Sequence, residues 1–184
     1  GGAEAGDGGG GAGGDGGPRV AFAAGASPPP SLTGLCTAIS RHLGWLTELR
    51  LDDNGLSAGA AELSPLCMLR NLRVLSLERN ALSEVPPLIG TTLSLRRLSL
   101  RSNQLLELPP SLCLLANLEH LDLNKNLLRQ LPAGIGALTS LTHLELSENK
   151  LVELPPSFCD LSDSLHLGVA RNPLERVRTA AAAL

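Results

Sequence analysis

Leucines recur along this chain in one pattern, Leu-x-x-Leu-x-Leu-x-x-Asn-x-Leu, which starts at Leu46 and occurs six times. The last copy has Ser164 in place of the first leucine and Val169 in place of the third. Successive asparagines are 26, 23, 23, 23 and 23 residues apart; they are Asn54, Asn80, Asn103, Asn126, Asn149 and Asn172. Side chains alternate along a strand, so both leucines of Leu-x-Leu face one side. The pattern therefore predicts one short strand per repeat.

A single 23-residue copy is too small to fold alone. Ordering it costs on the order of 35 kcal/mol at about 1.5 kcal/mol per residue, and burying about seven aliphatic side chains at about 2–3 kcal/mol each returns less. Copies that stack share a core and a hydrogen-bond ladder, so stability comes from their neighbours. We expect each asparagine amide to bond the turn backbone where the chain leaves the strand.

The segments between strands carry a second periodic signal, a hydrophobic residue followed by proline, as in Leu108-Pro109 and Leu131-Pro132. Proline ends strand pairing, so these segments are predicted to be extended or to form short 3₁₀ turns. The first return segment, 57–72, lacks that pair and has hydrophobic residues at helical spacing, which predicts a helix. Leu32, Leu35, Ile39 and Leu43 predict another helix, capped by Ser31 or Thr33, over the open edge of the first strand.

These repeats resemble leucine-rich repeats of the 23-residue typical class, over about residues 46–174. The stretch Leu131–Leu138 is similar to the plant intracellular Ras-group-related proteins and to Ras-suppressor-like scaffold proteins. The resemblance implies an α/β solenoid in the shape of a curved horseshoe, with short parallel strands on the concave face, an irregular or 3₁₀ convex side and a helical N-terminal cap. It also implies that binding is the usual role, with a small GTPase as one candidate partner.

The outward positions of the predicted strands form a mixed polar face, acidic at its start and basic in its middle. A face of this kind suits a protein with complementary patches. The alternative is that these charges only keep an exposed sheet soluble. The predicted partner-binding residues are Arg50, Asp52, Ser76, Glu78, Arg97, Ser99, Arg101, His120, Asp122, Asn124, His143, Glu145, Ser147 and His166.

Three of these residues, His120, His143 and His166, occupy the same position in consecutive repeats. Imidazole is a zinc ligand, but a straight ladder of three does not converge on a tetrahedron, so we predict no metal and no cofactor. The four cysteines are isolated in sequence, without metal-type spacing. They favour a reducing, cytoplasmic or nuclear location.

The composition of the chain indicates domain boundaries and argues against some functions. Residues 1–30 are rich in glycine and proline and predict a disordered tail. They are followed by a helical cap over 31–45, six repeats over 46–174 and a short C-terminal cap over 175–184. A net charge of −3 argues against a nucleic-acid binder, and no stretch is long and apolar enough to cross a membrane. No catalytic motif occurs, so the chain is predicted not to be an enzyme. We also predict that it is a monomer.

A short motif in the tail, Arg19-Val20-Ala21-Phe22, resembles the RVxF docking motif for the type-1 protein phosphatase catalytic subunit. Arg19, Val20 and Phe22 would bind by adding a strand to the phosphatase, with Val20 and Phe22 in apolar pockets. The leading hypothesis is a non-catalytic intracellular scaffold for signal transduction that binds a protein on its concave face. The alternatives are a regulatory or targeting subunit of an enzyme, the repeat part of a larger multidomain enzyme, and a structural spacer.

Overall fold

The computed structural model describes residues 19–21, 32–57 and 59–174. Seven short strands form one parallel sheet in chain order. The strands are β1 Arg19–Ala21, β2 Glu48–Arg50, β3 Val74–Ser76, β4 Arg97–Ser99, β5 His120–Asp122, β6 His143–Glu145 and β7 His166–Gly168. Strands β2 to β7 are the six predicted from the leucine repeat, so the predicted fold class is confirmed.

The repeat sets the register of the sheet. Leu98 pairs with Leu121 and Leu121 with Leu144, and the same alignment holds along the sheet. Each of these central leucines points inward and is at most 2% exposed. At the last strand the corresponding Leu167 is 37% exposed, because no described strand follows it. The core is thus a continuous stack of leucines that is open at its C-terminal end in the described part of the chain.

The return segments are short 3₁₀ helices, as the hydrophobic-proline pairs predict. They span Pro87–Thr91, Pro110–Leu114, Ile135–Ala137 and Pro156–Asp160. In the two middle segments Leu112 and Ile135 are fully buried. The first return segment contains a helical turn, α2 Ala60–Leu63, which continues into a 3₁₀ helix at Ser64–Met68. The helix expected in that longer segment is present but occupies only part of it.

The N-terminal helix and the edge strand differ from the expectation. Helix α1, Leu32–His42, packs against α2 and the 3₁₀ helix that follows α2, on the return side of the solenoid. It does not cover the edge of β2. That edge is paired with β1, since Val20 lies opposite Leu49 in a parallel ladder. A strand can bond the open N–H and C=O groups of a sheet edge, which a helix backbone cannot do.

Strand β1 also corrects the prediction of one disordered stretch over residues 1–30, because residues 19–21 belong to the sheet. Apart from these, residues 1–31 lie outside the described residues, as do 175–184, where a C-terminal cap is predicted. None of the helices in the described ranges is long and apolar enough to cross a membrane.

Each repeat leaves its strand through one residue with a left-handed backbone. Six non-glycine residues have φ between 50° and 58°; they are Asp53, Arg79, Ser102, Lys125, Glu148 and Arg171. Each lies directly before the asparagine of its repeat. The turn lets the N–H of Lys125 donate to Ser147 O at 2.9 Å in the next repeat. The sheet ladder is thereby extended beyond the strands themselves.

Candidate protein-binding face

The outward side chains of β2 to β7, and of the second residue after each strand, form one continuous surface, here called the strand face. Its first row contains Glu48, Val74, Arg97, His120, His143 and His166. The second row contains Arg50, Ser76, Ser99, Asp122, Glu145 and Gly168. The third row contains Asp52, Glu78, Arg101, Asn124, Ser147 and Ala170. All fourteen residues predicted for partner binding therefore lie on one face.

The histidines of the first row are in ring contact. His120 and His143 stack with centroids 4.3 Å apart and planes 6° from parallel. His143 and His166 are 5.4 Å apart and tilted by 43°. His120 is partly buried, and burial lowers the pKa of its imidazole, with smaller contributions from Arg97 and His143. The in-register stack that the repeat spacing predicts is present.

The second and third rows are linked by hydrogen bonds between neighbouring repeats. Ser76 Oγ donates to Asp52 Oδ1 at 2.6 Å, and Ser99 Oγ donates to Glu78 Oε1 at 2.8 Å. Ser76 is only 4% exposed, so this predicted contact residue offers almost no surface to a partner. The N-terminal part of the face is therefore held by its own polar side chains.

Asn124 and Asp122, in the middle of the face, are also held by hydrogen bonds. Asn124 Oδ1 accepts the N–H of Ser147 at 2.6 Å, and Asn124 is 9% exposed. Asp122 Oδ1 accepts the N–H of Asn124 at 2.9 Å. Burial raises the pKa of Asp122, against the lowering effect of that hydrogen bond and of Arg101. Asn124 thus orders the backbone of the next repeat, while the more exposed Arg97 and His143 remain available for contact.

A ladder of ion pairs borders the third row, which sequence reasoning did not find. Its members are the left-handed residues other than Ser102, as in Arg79–Asp53 at 2.6 Å and Arg171–Glu148 at 3.4 Å. The hydrogen bond from Arg79 lowers the pKa of Asp53. The only sequence signal is a charged residue directly before five of the six asparagines, with Ser102 as the exception. Because these side chains are exposed, each pair contributes little to stability.

The predicted asparagine ladder is confirmed, and it connects each repeat to the one before. Asn103 Oδ1 accepts the N–H of Leu82 at 3.0 Å, while its amino group donates to Leu77 O at 2.9 Å. Asn80, Asn126, Asn149 and Asn172 make the equivalent bonds. Asn54, in the first repeat, instead bonds Asp52 O within its own turn at 2.8 Å. The ladder serves the fold.

The thiols and the histidines do not form a metal centre in the described part of the chain, where no group of three or more His, Cys, Asp or Glu side chains could hold an ion. Burial raises the pKa of Cys36 and of Cys67 to about 11. Cys113 is buried as well and its pKa is also raised, whereas Cys159 is exposed. None of the four is in a disulfide.

The phosphatase-docking motif divides across the boundary of the described residues. Arg19 and Val20 lie in β1, paired with Glu48 and Leu49, and Phe22 lies outside. Docking by strand addition needs a free strand edge, and one edge of β1 is bonded to β2. Phosphatase docking stays a prediction.

Residues 93–151 match a family model for the leucine-rich repeat. The comparison with curated proteins gives no match. Among solved structures, the PEPR1–AtPEP1 structure has a TM-score of 0.62 and 33% identity, over 71% of this chain and 19% of that one. An internalin from Listeria monocytogenes has a TM-score of 0.58 and 27% identity, over 72% and 36% of the two chains. A leucine-rich repeat protein of Leptospira interrogans has a TM-score of 0.50 and 27% identity, over 75% and 46%.

This chain therefore spans less than half the length of each of these solved chains. The similarity to Ras-group-related proteins stays a prediction. The matched repeats, the asparagine ladder and the parallel sheet agree with one another, and they show that the described part of the chain has the leucine-rich repeat solenoid fold.

Proposed function

We propose that this chain is a non-catalytic interaction module that binds a protein partner on its strand face. The observation that carries the proposal is the layout of that face: exposed charged and imidazole side chains stand in rows on a rigid ladder. The fold is one used for protein–protein interaction, and one similar structure is that of PEPR1 with AtPEP1. Polar rows on a rigid support suit recognition of complementary charge.

Charge reversal on the face tests the proposal. The variant Arg97→Glu/Arg101→Glu changes a first-row and a third-row position of the same repeat, and Arg97 is exposed. In a cross-linking pull-down followed by mass spectrometry, we expect this variant to lose the proteins that cross-link to the unaltered chain. The matched control is Arg129→Glu, which reverses an exposed arginine outside the strand face.

The proposal fails if the strand-face variant retains the same cross-linked proteins as the Arg129→Glu control. That result would favour the spacer alternative, in which the face only keeps the sheet soluble.

We extend the proposal to an intracellular scaffold in signal transduction. Support comes from the four cysteines, none of which is in a disulfide. Two of them, Cys36 and Cys67, are buried in the N-terminal helical segments. Cytosolic proteins keep their thiols reduced. Localisation of a fluorescently tagged chain in its native cell is the direct measurement, and a secreted product would contradict this part of the proposal.

A further inference from the structure

Four first-row side chains stand side by side on consecutive strands: Arg97, His120, His143 and His166, here called the imidazole row. Arg97 pairs in register with His120, His120 with His143, and His143 with His166. Neighbouring strands in a sheet are about 4.8 Å apart. The row therefore places one guanidinium and three imidazoles in a line across β4 to β7.

The carboxylates beside the row already have side-chain partners, which are two arginines outside the row and His166 at its end. The three pairs are Glu119 with Arg96 at 2.6 Å, Asp122 with Arg101 at 3.9 Å, and Glu145 with His166 at 3.6 Å. Within the described ranges, no carboxylate lies within ion-pair distance of Arg97, His120 or His143. The row thus contains one permanent cation and two titratable groups that lack a counter-ion from this part of the chain.

The ring nitrogens of the two inner histidines differ in how they are hydrogen-bonded. Among the described residues, His120 Nδ1 is buried without a hydrogen-bond partner. His143 Nδ1 is 3.0 Å from Thr142 Oγ1, which itself donates to Glu119 O. The stack of His120 on His143 suits neutral rings, since two adjacent imidazolium ions repel each other.

A bound anion near these rings offsets the repulsion between protonated imidazoles. A carboxylate beside Arg97 and the stacked rings favours the protonated form of an imidazole. By linkage, if an anion binds the protonated form more tightly, the protein takes up a proton when that anion binds. Histidine is the side chain whose charge changes between about pH 5 and pH 8. The carboxylates of Asp122 and Glu145, in the second row, and of Glu119, next to His120 in sequence, moderate the effect.

We propose that Arg97, His120 and His143 form a recognition site for an acidic, carboxylate-bearing segment of a partner protein, and that binding takes up a proton and tightens as the pH falls. This inference rests on the proposed function, because it names the chemistry and the regulation of the same face. The carboxylates of the segment supply the counter-ions that Arg97, His120 and His143 lack.

A hexaglutamate peptide is the probe, titrated into the full chain with isotope-labelled histidine and arginine and followed by NMR at low salt. We expect the largest shifts at Arg97, His120 and His143. We expect the dissociation constant to fall by about three- to tenfold from about pH 7.5 to about pH 6, which corresponds to an average uptake of about 0.3 to 0.7 proton. Hexaglutamine, which has the same length and no charge, should not bind.

Two substitutions separate the row from the rest of the chain. His143→Gln should remove most of the pH dependence, since it interrupts the stack. His42→Gln, at an exposed histidine in the last turn of α1, should leave it unchanged. Equal affinity at both pH values, equal effects of the two substitutions, or shifts centred elsewhere would overturn the inference. So would binding of an oligothymidylate in place of hexaglutamate.

The same variants separate failure of this inference from failure of the proposed function. If Arg97→Glu/Arg101→Glu loses its cross-linked partner while hexaglutamate shows no pH-dependent binding, the face binds proteins by other chemistry and the inference is wrong. If hexaglutamate binds as expected but charge reversal leaves every cross-linked protein in place, the row is an anion site and the proposed function is wrong.

Discussion

The side-chain oxygen of Asn126 accepts the backbone N–H of Leu105, one repeat earlier, at 3.1 Å. The amino group of the same side chain donates to Leu100 O at 2.9 Å and to Leu123 O at 3.1 Å. One amide thus satisfies three backbone groups that the leucine stack keeps from water, and Asn126 itself is only 3% exposed. Packing of the leucines depends on this pairing, because a buried peptide group without a partner is costly.

Replacing this asparagine should be far more damaging than its surface area suggests. We expect Asn126→Ala to lower the free energy of unfolding by about 2–4 kcal/mol, since several buried backbone groups lose their partner. Urea unfolding followed by circular dichroism measures it. The control is Asn117→Ala, an exposed asparagine with a single bond to Leu93 O, for which we expect a loss below about 1 kcal/mol. Equal losses in the two variants would contradict the role of the ladder.

Close packing of the return segments leaves no room for a side chain at Gly136. A Cβ there would collide with Ser157 O and lie 2.9 Å from Asp160 Cβ. Gly136→Ala should therefore cost about 1–3 kcal/mol of stability, as overpacked sites do. Gly134, two residues earlier, has Cys113 Cβ as its nearest neighbour at 3.6 Å. Gly134→Ala should stay within about 0.5 kcal/mol of the parent in the same thermal or urea titration. A neutral Gly136→Ala would show that neighbouring return segments are more loosely packed.

Thiol reactivity should distinguish Cys159 from the other three cysteines. Cys159 is exposed, whereas Cys36 and Cys67 are buried and have pKa values raised to about 11. The thiolate is the reactive form, so titration with Ellman's reagent near neutral pH should modify one thiol rapidly in the folded chain. All four should react after unfolding. Rapid modification in the folded state of Cys159→Ser would contradict the burial of the others.

The folded chain should become less stable as the pH is lowered, because of His120. Burial holds the pKa of its imidazole below the ordinary value of 6.5, so the folded state binds the proton less tightly than the unfolded state. The contribution is fully present above pH 6.5 and is lost as the pH falls from there through the lower folded value. We expect His120→Gln to lose less stability between about pH 7.5 and pH 5.5 than the parent. Urea midpoints at several pH values measure this, with His42→Gln as the control. An unchanged slope in His120→Gln would contradict the prediction.

The sequence predicts the features that the 23-residue period repeats. The asparagine ladder and the rows of the strand face follow from it, because residues at equal positions in successive copies must lie one strand apart. The stack of His120 on His143 was predicted in this way. The 3₁₀ return segments follow from the repeated prolines.

The features that the sequence does not predict lack a residue type that identifies them. Strand β1 has no counterpart, and its residues lie in a glycine-rich stretch that favours disorder. The left-handed backbone of Lys125 and Glu148 falls on ordinary side chains, not on glycine. The burial of Ser76 depends on its bond to Asp52, which is a matter of side-chain geometry. Periodicity specifies positions in this fold, whereas the choice of partners among neighbouring side chains depends on three-dimensional contacts.

The unchanged strand register has a consequence for how such a chain can vary. From β2 to β7 every strand meets its neighbour in the same alignment. Duplication of one whole 23-residue unit would add one column of side chains to the outer surface and leave every existing column in its place. Deletion of a unit would remove one column in the same manner. The strand face can therefore grow or shrink in whole units without a new hydrophobic core.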